Sequence, residues 1–348
     1  MAELKKILDL WKRASAAGED VCLATVVGVE GSAYRRPGAR MLLTSSGLRA
    51  GTISGGCLEA EVAKKAWWLT ANGSSIQRYS SFFDDDGDLP YGLGCGGTVL
   101  VLLERGAGAA QTLEALRRSV EERTASVAIS SMETDAPGTA LILNDAGEVV
   151  FDRRGNDGLS AIGREALDAR ESRRIEGYFV EFIAPPPALF VFGAGDDAQP
   201  LVEFGATLGW HVTVADGRSQ LARRDRFPLA ARVEGPEQIL TVGSDDAAVI
   251  MTHSYEQDRK LLSLLLPQPT RYLGILGPKR RTERLAGEVG PPLGLSVAEV
   301  MSRLHTPVGL DLGGHSPAAI ALSIAAELQA VFAGKPVRRI DAAPPVHA

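Results

Sequence analysis

Ala188-Leu-Phe-Val-Phe-Gly193-Ala-Gly195-Asp-Asp-Ala198 is the stretch that decides the fold. Five apolar residues run straight into Gly-x-Gly-x-x-Ala, and a helical pattern follows to Leu208. A buried strand that breaks at closely spaced glycines and opens a helix brings backbone N–H groups to one point, which suits a phosphate. His211 to Ala215 reads as the next strand and ends at Asp216, an acid 21 residues beyond Gly195 and placed to accept a ribose hydroxyl. Together these make a Rossmann dinucleotide fingerprint, with Gly193, Gly195 and Ala198 as its small residues and NAD(P) as the ligand to expect. Asp196 and Asp197 pull the other way, because two carboxylates beside a pyrophosphate repel it. Arg218 leaves room for a 2′-phosphate.

The strand–helix alternation continues to the C-terminus. Ala247 to Met251 and Tyr272 to Leu276 are apolar strands, each followed by helical sequence. At their carboxyl ends stand Thr252-His253-Ser254 and Gly277-Pro-Lys-Arg-Arg281, where open α/β sheets place ligands. Asp311 and His315 flank Gly313-Gly314 before a last helix that starts at Ser316-Pro317, an N-cap serine followed by proline. Pro185-Pro-Pro187 is a stiff linker. The chain therefore divides into an N-terminal domain (1–184), a Rossmann-like doubly wound parallel sheet (185–335) and a tail (336–348).

The N-terminal domain reads as α+β with a mixed sheet. Leu4, Ile7, Leu8 and Trp11 mark an amphipathic helix, and Val21 to Val29 a buried strand. A hairpin follows through Ser46-Gly47, and strands at 126–129, 138–143 and 148–151 extend the sheet. Two glycine-rich loops carry cysteine: Gly51-Thr-Ile-Ser-Gly-Gly-Cys-Leu-Glu59 and Gly92-Leu-Gly-Cys-Gly-Gly97. A thiol in such a turn is exposed to backbone donors and becomes a better nucleophile or soft metal ligand. Ser54, Gly55, Gly56, Cys57 and Cys95, with Arg35, Arg36 and Arg40 in a neighbouring loop, would suit an anionic, sulfur-loving ligand. Asp84-Asp-Asp-Gly-Asp88 has the acids of a calcium loop but not its spacing.

Composition narrows the class. The chain of 348 residues has 43 acidic and 37 basic side chains and a net charge of -6, which argues against broad nucleic-acid or anionic-membrane binding. Three cysteines without a CxxC pair argue against a disulfide framework or zinc ribbon, and Cys22, inside an apolar run, is read as core. Lysines and acid where a signal peptide needs its apolar core, and no 18-residue apolar run, make the cytoplasm the expected compartment.

Taken together the motifs resemble the XdhC/CoxI family, accessory proteins of xanthine dehydrogenase and related molybdenum hydroxylases. The residues that carry the likeness are Gly31-Ser-Ala-Tyr-Arg-Arg-Pro-Gly-Ala-Arg-Met41, the two glycine–cysteine loops, Phe192-Gly-Ala-Gly195, Thr252-His253, Gly274-Ile-Leu-Gly277 and Gly309-Leu-Asp-Leu-Gly-Gly314. The chain departs from many members at Asp196, where they carry histidine. The resemblance implies a maturation factor that binds molybdenum cofactor (a molybdopterin), supports its sulfuration and inserts it into an apo xanthine dehydrogenase-type enzyme, with a cysteine desulfurase as second partner. In that reading Cys57 contacts molybdenum, Cys95 is its neighbour, and arginines hold the pterin phosphate. The chain is then a cofactor chaperone more than a turnover enzyme, and a homodimer is its expected form. Two other readings stand beside it: an NAD(P)-dependent oxidoreductase with His253 as acid/base, and a nucleotide-sensing regulatory subunit.

Overall fold

Cys22, Ala24 and Val26 point to one side of their strand and Leu23, Thr25 and Val27 to the other, yet all six are buried. That continuous burial needs a layer on each face, and the computed structural model supplies both. It describes residues 2–56, 58–80, 97–153, 155, 157–239 and 241–336. Cys57, Cys95, the Asp84–Asp88 loop and most of the tail lie outside the described residues. Among the described residues the chain folds as two units, one from Glu3 to Pro185 and the other from Pro186 to Pro336.

The first unit runs α1 (Ala2–Ala16), β1 (Val21–Gly31), β2 (Arg40–Thr44), β3 (Arg49–Gly51), α2 (Glu59–Leu69), β4 (Ser75–Ser80) and β5 (Gly97–Glu104). It continues with α3 (Gly106–Glu121), β6 (Ser126–Ser131), β7 (Gly138–Leu143), β8 (Val149–Asp152), α4 (Asp157–Ala169), β9 (Arg173–Ile175) and β10 (Tyr178–Ile183). The sheets have the orders β3-β2-β1-β5-β4 and β8-β7-β6-β10-β9, and every strand pair in them is antiparallel. The α+β reading holds, but two antiparallel sheets replace the mixed sheet expected. Local periodicity marks strands without saying which strand each one pairs with.

The two sheets repeat one topology. Each half is helix, three strands, helix, two strands, and each sheet places its strands in the order third, second, first, fifth, fourth. The registers agree as well. Glu104 faces Leu23 and Arg40 faces Thr25, two residues further along β1; Glu181 faces Ala128 and Thr139 faces Ser130, two residues further along β6. The repeat is not visible in the sequence, where Arg40 and Thr139 have nothing in common.

Packing follows from that layout. α2 covers one face of the first sheet through Val62 and Ala66, and α4 covers the second sheet through Leu159 and Ala166. α1 and α3 serve both sheets: Ile7, Leu10 and Leu113 pack on Leu23 and Leu42, while Leu8 and Leu116 pack on Ala128 and Ile142. Cys22 is core as expected, and burial pushes its thiol up to about 12.

The second unit contains β11 (Ala188–Phe192), α5 (Ala198–Leu208), β12 (His211–Ala215), β13 (Arg232–Glu234), β14 (Ala247–Ile250), α6 (Tyr255–Leu265), β15 (Tyr272–Ile275), α7 (Lys279–Val289), α8 (Val297–Ser302) and α9 (Pro317–Phe332). Its sheet is parallel throughout, in the order β13-β12-β11-β14-β15. Leu201 and Val202 of α5 with Ile324 and Leu328 of α9 bury one face; Leu262, Leu285 and Val300 of α6, α7 and α8 bury the other. This is the doubly wound arrangement the fingerprint implied. No helix among the described residues is long and apolar enough to cross a membrane.

Candidate functional site

The loop between β3 and α2 is built around a carboxylate that the sequence does not announce. Glu59 Oε1 accepts the N–H groups of Ile53 (3.0 Å), Ser54 (3.0 Å) and Gly55 (3.2 Å); Oε2 accepts the Ser54 hydroxyl (2.6 Å) and the Gly56 N–H (2.9 Å). Four consecutive amides can converge on one anion here because Gly55 and Gly56 take φ values of 94° and 124°, open to glycine and strained for other residues. The Glu59 carboxyl is held down to about 2. Burial works against this, and the Ser54 hydroxyl and the Ser54 and Ile53 amides outweigh it. The donors expected to receive an external anion at Ser54, Gly55 and Gly56 therefore have an internal one. An acid opening a helix just after a glycine-rich loop is the signal that could have revealed it.

The arginines predicted beside this loop separate. Arg40 points inward: it is buried, donates to Glu181 Oε1 at 2.8 Å and pairs with Oε2, and bonds the Gly38 carbonyl at 2.8 Å. It is a core ion pair rather than the ligand arginine expected, since a buried guanidinium without a carboxylate would be prohibitively desolvated. Arg35 pairs with Glu3. Arg36 is exposed. Tyr34, two residues earlier in the same loop, lies against Gly55 so closely that a Cβ there would come 2.8 Å from its ring, and the tyrosine is still 75% exposed. An exposed aromatic face and a solvated guanidinium on this loop fit the flat, anionic pterin of a molybdenum cofactor. Cys57 and Cys95, expected from the sequence to meet the metal–sulfur centre, lie outside the described residues.

In the second unit the predicted residues do converge. Gly193 (φ 129°) is required, because a Cβ there would lie 2.3 Å from the Met251 carbonyl oxygen. Asp216 accepts the Ala194 N–H (2.8 Å), as a fingerprint acid can, but Arg218 closes over it through its own N–H (2.8 Å), Nε (3.0 Å) and Nη2 (2.7 Å). The Asp216 side chain is 0% exposed, so neither oxygen reaches a ribose. Its carboxyl is lowered: burial opposes ionisation, and the Arg218 and Ala194 bonds outweigh burial.

His253 adopts φ 60° in the turn after β14, a conformation uncommon outside glycine, and its Nε2 lies 2.7 Å from Asp197 Oδ2. Asp196 instead meets Arg226 Nη2 at 2.6 Å, and Arg226 Nη1 also bonds the Ala194 carbonyl at 2.8 Å. Thr252 is held by Asp258, which is 1% exposed and accepts Arg281 Nη1 at 2.6 Å. Of the three basic residues opening α7, Arg281 turns inward; Lys279 and Arg280 stay exposed. Gly277 takes φ 135° before that helix. Asp311 and His315 are exposed in the segment before α9. Sequence reasoning misses Arg226, Asp258 and Glu327, each an ordinary helix or loop charge until the fold supplies its partner.

NAD(P) does not fit this arrangement as it stands. Asp197 lies on Gly195, where a pyrophosphate would pass, and Arg218 covers the acid that would take a ribose.

The chain is thus a two-unit α/β protein with a glycine-rich loop on each unit, one beside a cysteine position and one in a Rossmann crevice. Residues 189–328 match the XdhC Rossmann domain, and residues 14–80 the XdhC and CoxI family. The chain is 34% identical over 324 residues to a probable xanthine dehydrogenase subunit of Bacillus subtilis (strain 168), covering 89% of this chain and 92% of that protein. The molybdenum cofactor insertion chaperone PaoD of Escherichia coli (strain K12) is 24% identical, across 94% of this chain and 88% of its own. A crystal structure of a xanthine dehydrogenase from Bacillus halodurans superposes with a TM-score of 0.78 at 29% identity, covering 95% of this chain and 97% of that one. The chain belongs to the XdhC and CoxI family.

Proposed function

We propose that this protein is an accessory factor that binds molybdenum cofactor and inserts it into a xanthine dehydrogenase-type molybdenum hydroxylase. The observation that carries the reading is likeness along nearly the whole chain, through both units, to a relative named as a molybdenum cofactor insertion chaperone. A partner of the xanthine dehydrogenase kind is supported by the similarity to a protein named as one of its subunits. The bound group supplies the molybdenum–sulfur chemistry that the client enzyme uses. This chain's residues hold and shield it: Tyr34 offers a stacking face, Arg36 a charge, and Cys57 a soft ligand for molybdenum, with Cys95 as a second thiol. Arg35 is engaged by Glu3 and Arg40 by Glu181, so the phosphate role open to all three arginines falls to Arg36.

The reading extends to sulfuration of the cofactor on this protein, with a cysteine desulfurase as donor, and to a cytoplasmic homodimer as the working form. The test is purification of the full chain from a molybdenum-replete host, with pterin measured by fluorescence after oxidation and molybdenum by mass spectrometry. Stoichiometric pterin in the wild type and its loss in Tyr34→Ala and Cys57→Ala support the reading. Protein free of pterin that also fails to activate an apo-hydroxylase sinks it. Pull-down of a desulfurase and light scattering test the two extensions separately.

A further inference from the structure

The carboxyl ends of β11, β12 and β14 frame the crevice in which a sheet of this topology takes its ligand. A cavity of about 390 Å³ lies there, lined by Ala215, Asp216, Thr252, Gln257, Leu261 and Leu264 among others. It is large enough, and apolar enough on its leucine wall, for a planar heterocycle. A dinucleotide entering it must lay its pyrophosphate across Gly195 and the first turn of α5.

That passage is filled from within. Asp197 Oδ1 is 2.5 Å from where a Cβ on Gly195 would stand, so the carboxylate rests on the glycine surface. Its other oxygen is fixed 2.7 Å from His253 Nε2, across the crevice mouth. Asp197 occupies the N-cap position of α5, yet its side chain makes no capping hydrogen bond to the helix. The carboxylate is therefore not there to finish the helix. Arg218, the nearby cation, is committed to Asp216, with Asp197 adding a weaker attraction.

We infer that Asp197 is an internal stopper, which closes the phosphate seat of this Rossmann unit to a pyrophosphate-bearing dinucleotide and leaves the cavity beside it to ligands without phosphate at that point. His253, held at a positive φ, keeps the stopper aimed over Gly195. The same glycines that usually admit a pyrophosphate here admit a side chain of the protein itself. The inference is independent of the molybdenum cofactor reading, and its test uses no molybdenum.

The experiment is calorimetric titration of the full chain with NAD⁺ and, in parallel, with adenosine. Wild type, Asp197→Asn and His253→Ala are compared, with thermal melting to show that each is folded. Asp197→Asn keeps the shape and removes the charge, so it should gain tenfold or more in NAD⁺ affinity while adenosine is unchanged. His253→Ala leaves the charge in place but no longer aims it over Gly195, so it should gain in NAD⁺ affinity, by less than Asp197→Asn. No gain for Asp197→Asn, whether because wild type already binds NAD⁺ as well or because neither binds, overturns the inference. So does an equal gain for adenosine, which would point to repacking rather than relief of charge repulsion.

Discussion

Arg40 and Glu181, 141 residues apart in the chain, meet as a buried ion pair that ties β2 of the first sheet to β10 of the second. The equivalent strands of the opposite halves are tied by Thr139 and Glu104: the Thr139 N–H and hydroxyl both donate to Glu104, the hydroxyl at 2.9 Å. Each tie leans on a glycine, since a Cβ on Gly38 would come 3.0 Å from Glu181 and one on Gly138 2.9 Å from Glu104. The repeated topology thus carries a repeated, exchanged polar contact between its halves. Only one of the two contacts is between charges.

Breaking the charged tie should be costly. Glu181→Ala leaves a buried guanidinium unpaired and is expected to destabilise the first unit by about 3–5 kcal/mol. The double variant Arg40→Met with Glu181→Leu should recover most of that loss, because an apolar pair carries no desolvation penalty. Denaturant titration followed by the fluorescence of Trp11, Trp67 and Trp68 reads both. Equal losses in the single and double variants would contradict the assignment.

Glu59 makes a pH prediction with a definite sign. Its folded-state carboxyl lies at about 2 against an ordinary 4.5, so its contribution is present above pH 4.5 and is lost as pH falls from there toward 2. The amount is about 3 kcal/mol at neutral pH. Glu59→Gln, which cannot offer a second acceptor to the Gly56 N–H, should be less stable at pH 7 and nearly equal to wild type close to pH 2. A gap between the two proteins that is constant over this range would rule the linkage out.

Gly193→Ala places a methyl 2.3 Å from a backbone oxygen that has no rotamer to escape into, at a φ of 129° that alanine resists. A loss of about 2 kcal/mol or more is expected. Trp210, buried in the second unit, reports it by fluorescence during unfolding, and the first-unit tryptophans should be unaffected.

Glu327 organises the segment that leads to α9. It accepts the Tyr272 hydroxyl (2.6 Å) and the Gly309 N–H (2.8 Å) and meets His305 Nδ1 (2.7 Å), whose ring stacks on Tyr272. Glu327→Ala orphans three groups at once and should cost about 2–4 kcal/mol; Tyr272→Phe orphans none of the other donors and should cost about 1 kcal/mol. Comparable losses would show that the carboxylate is not the hub.

The Rossmann half is legible because its information is local. A strand, two glycines, a small residue and an acid at a fixed spacing specify one turn, and that turn specifies the sheet around it. What the sequence cannot convey is how the charges near that turn pair. Asp216 and Arg218 are two residues apart and read as two ligand groups; folded, they satisfy each other. Asp197 reads as unfavourable to phosphate from its position alone, but its partner His253 arrives from a loop 56 residues away. In the first unit, β1 pairs with β5 some 70 residues on, and no periodicity announces such a partner. Glu59 stands inside its glycine motif without drawing notice, because a carboxylate is ordinarily a solvated helix residue until four amides turn toward it.

The loop from Ile53 to Gly56 belongs to neither helix nor strand, and Gly55 and Gly56 are exposed. Irregular, glycine-rich backbone of that kind ordinarily trades its amide protons with solvent almost at once. Here each of the four amides is bonded to Glu59, so their exchange should wait for the carboxylate to let go. In deuterium oxide this short coil should keep its protons nearly as long as the neighbouring strands do, and lose them together.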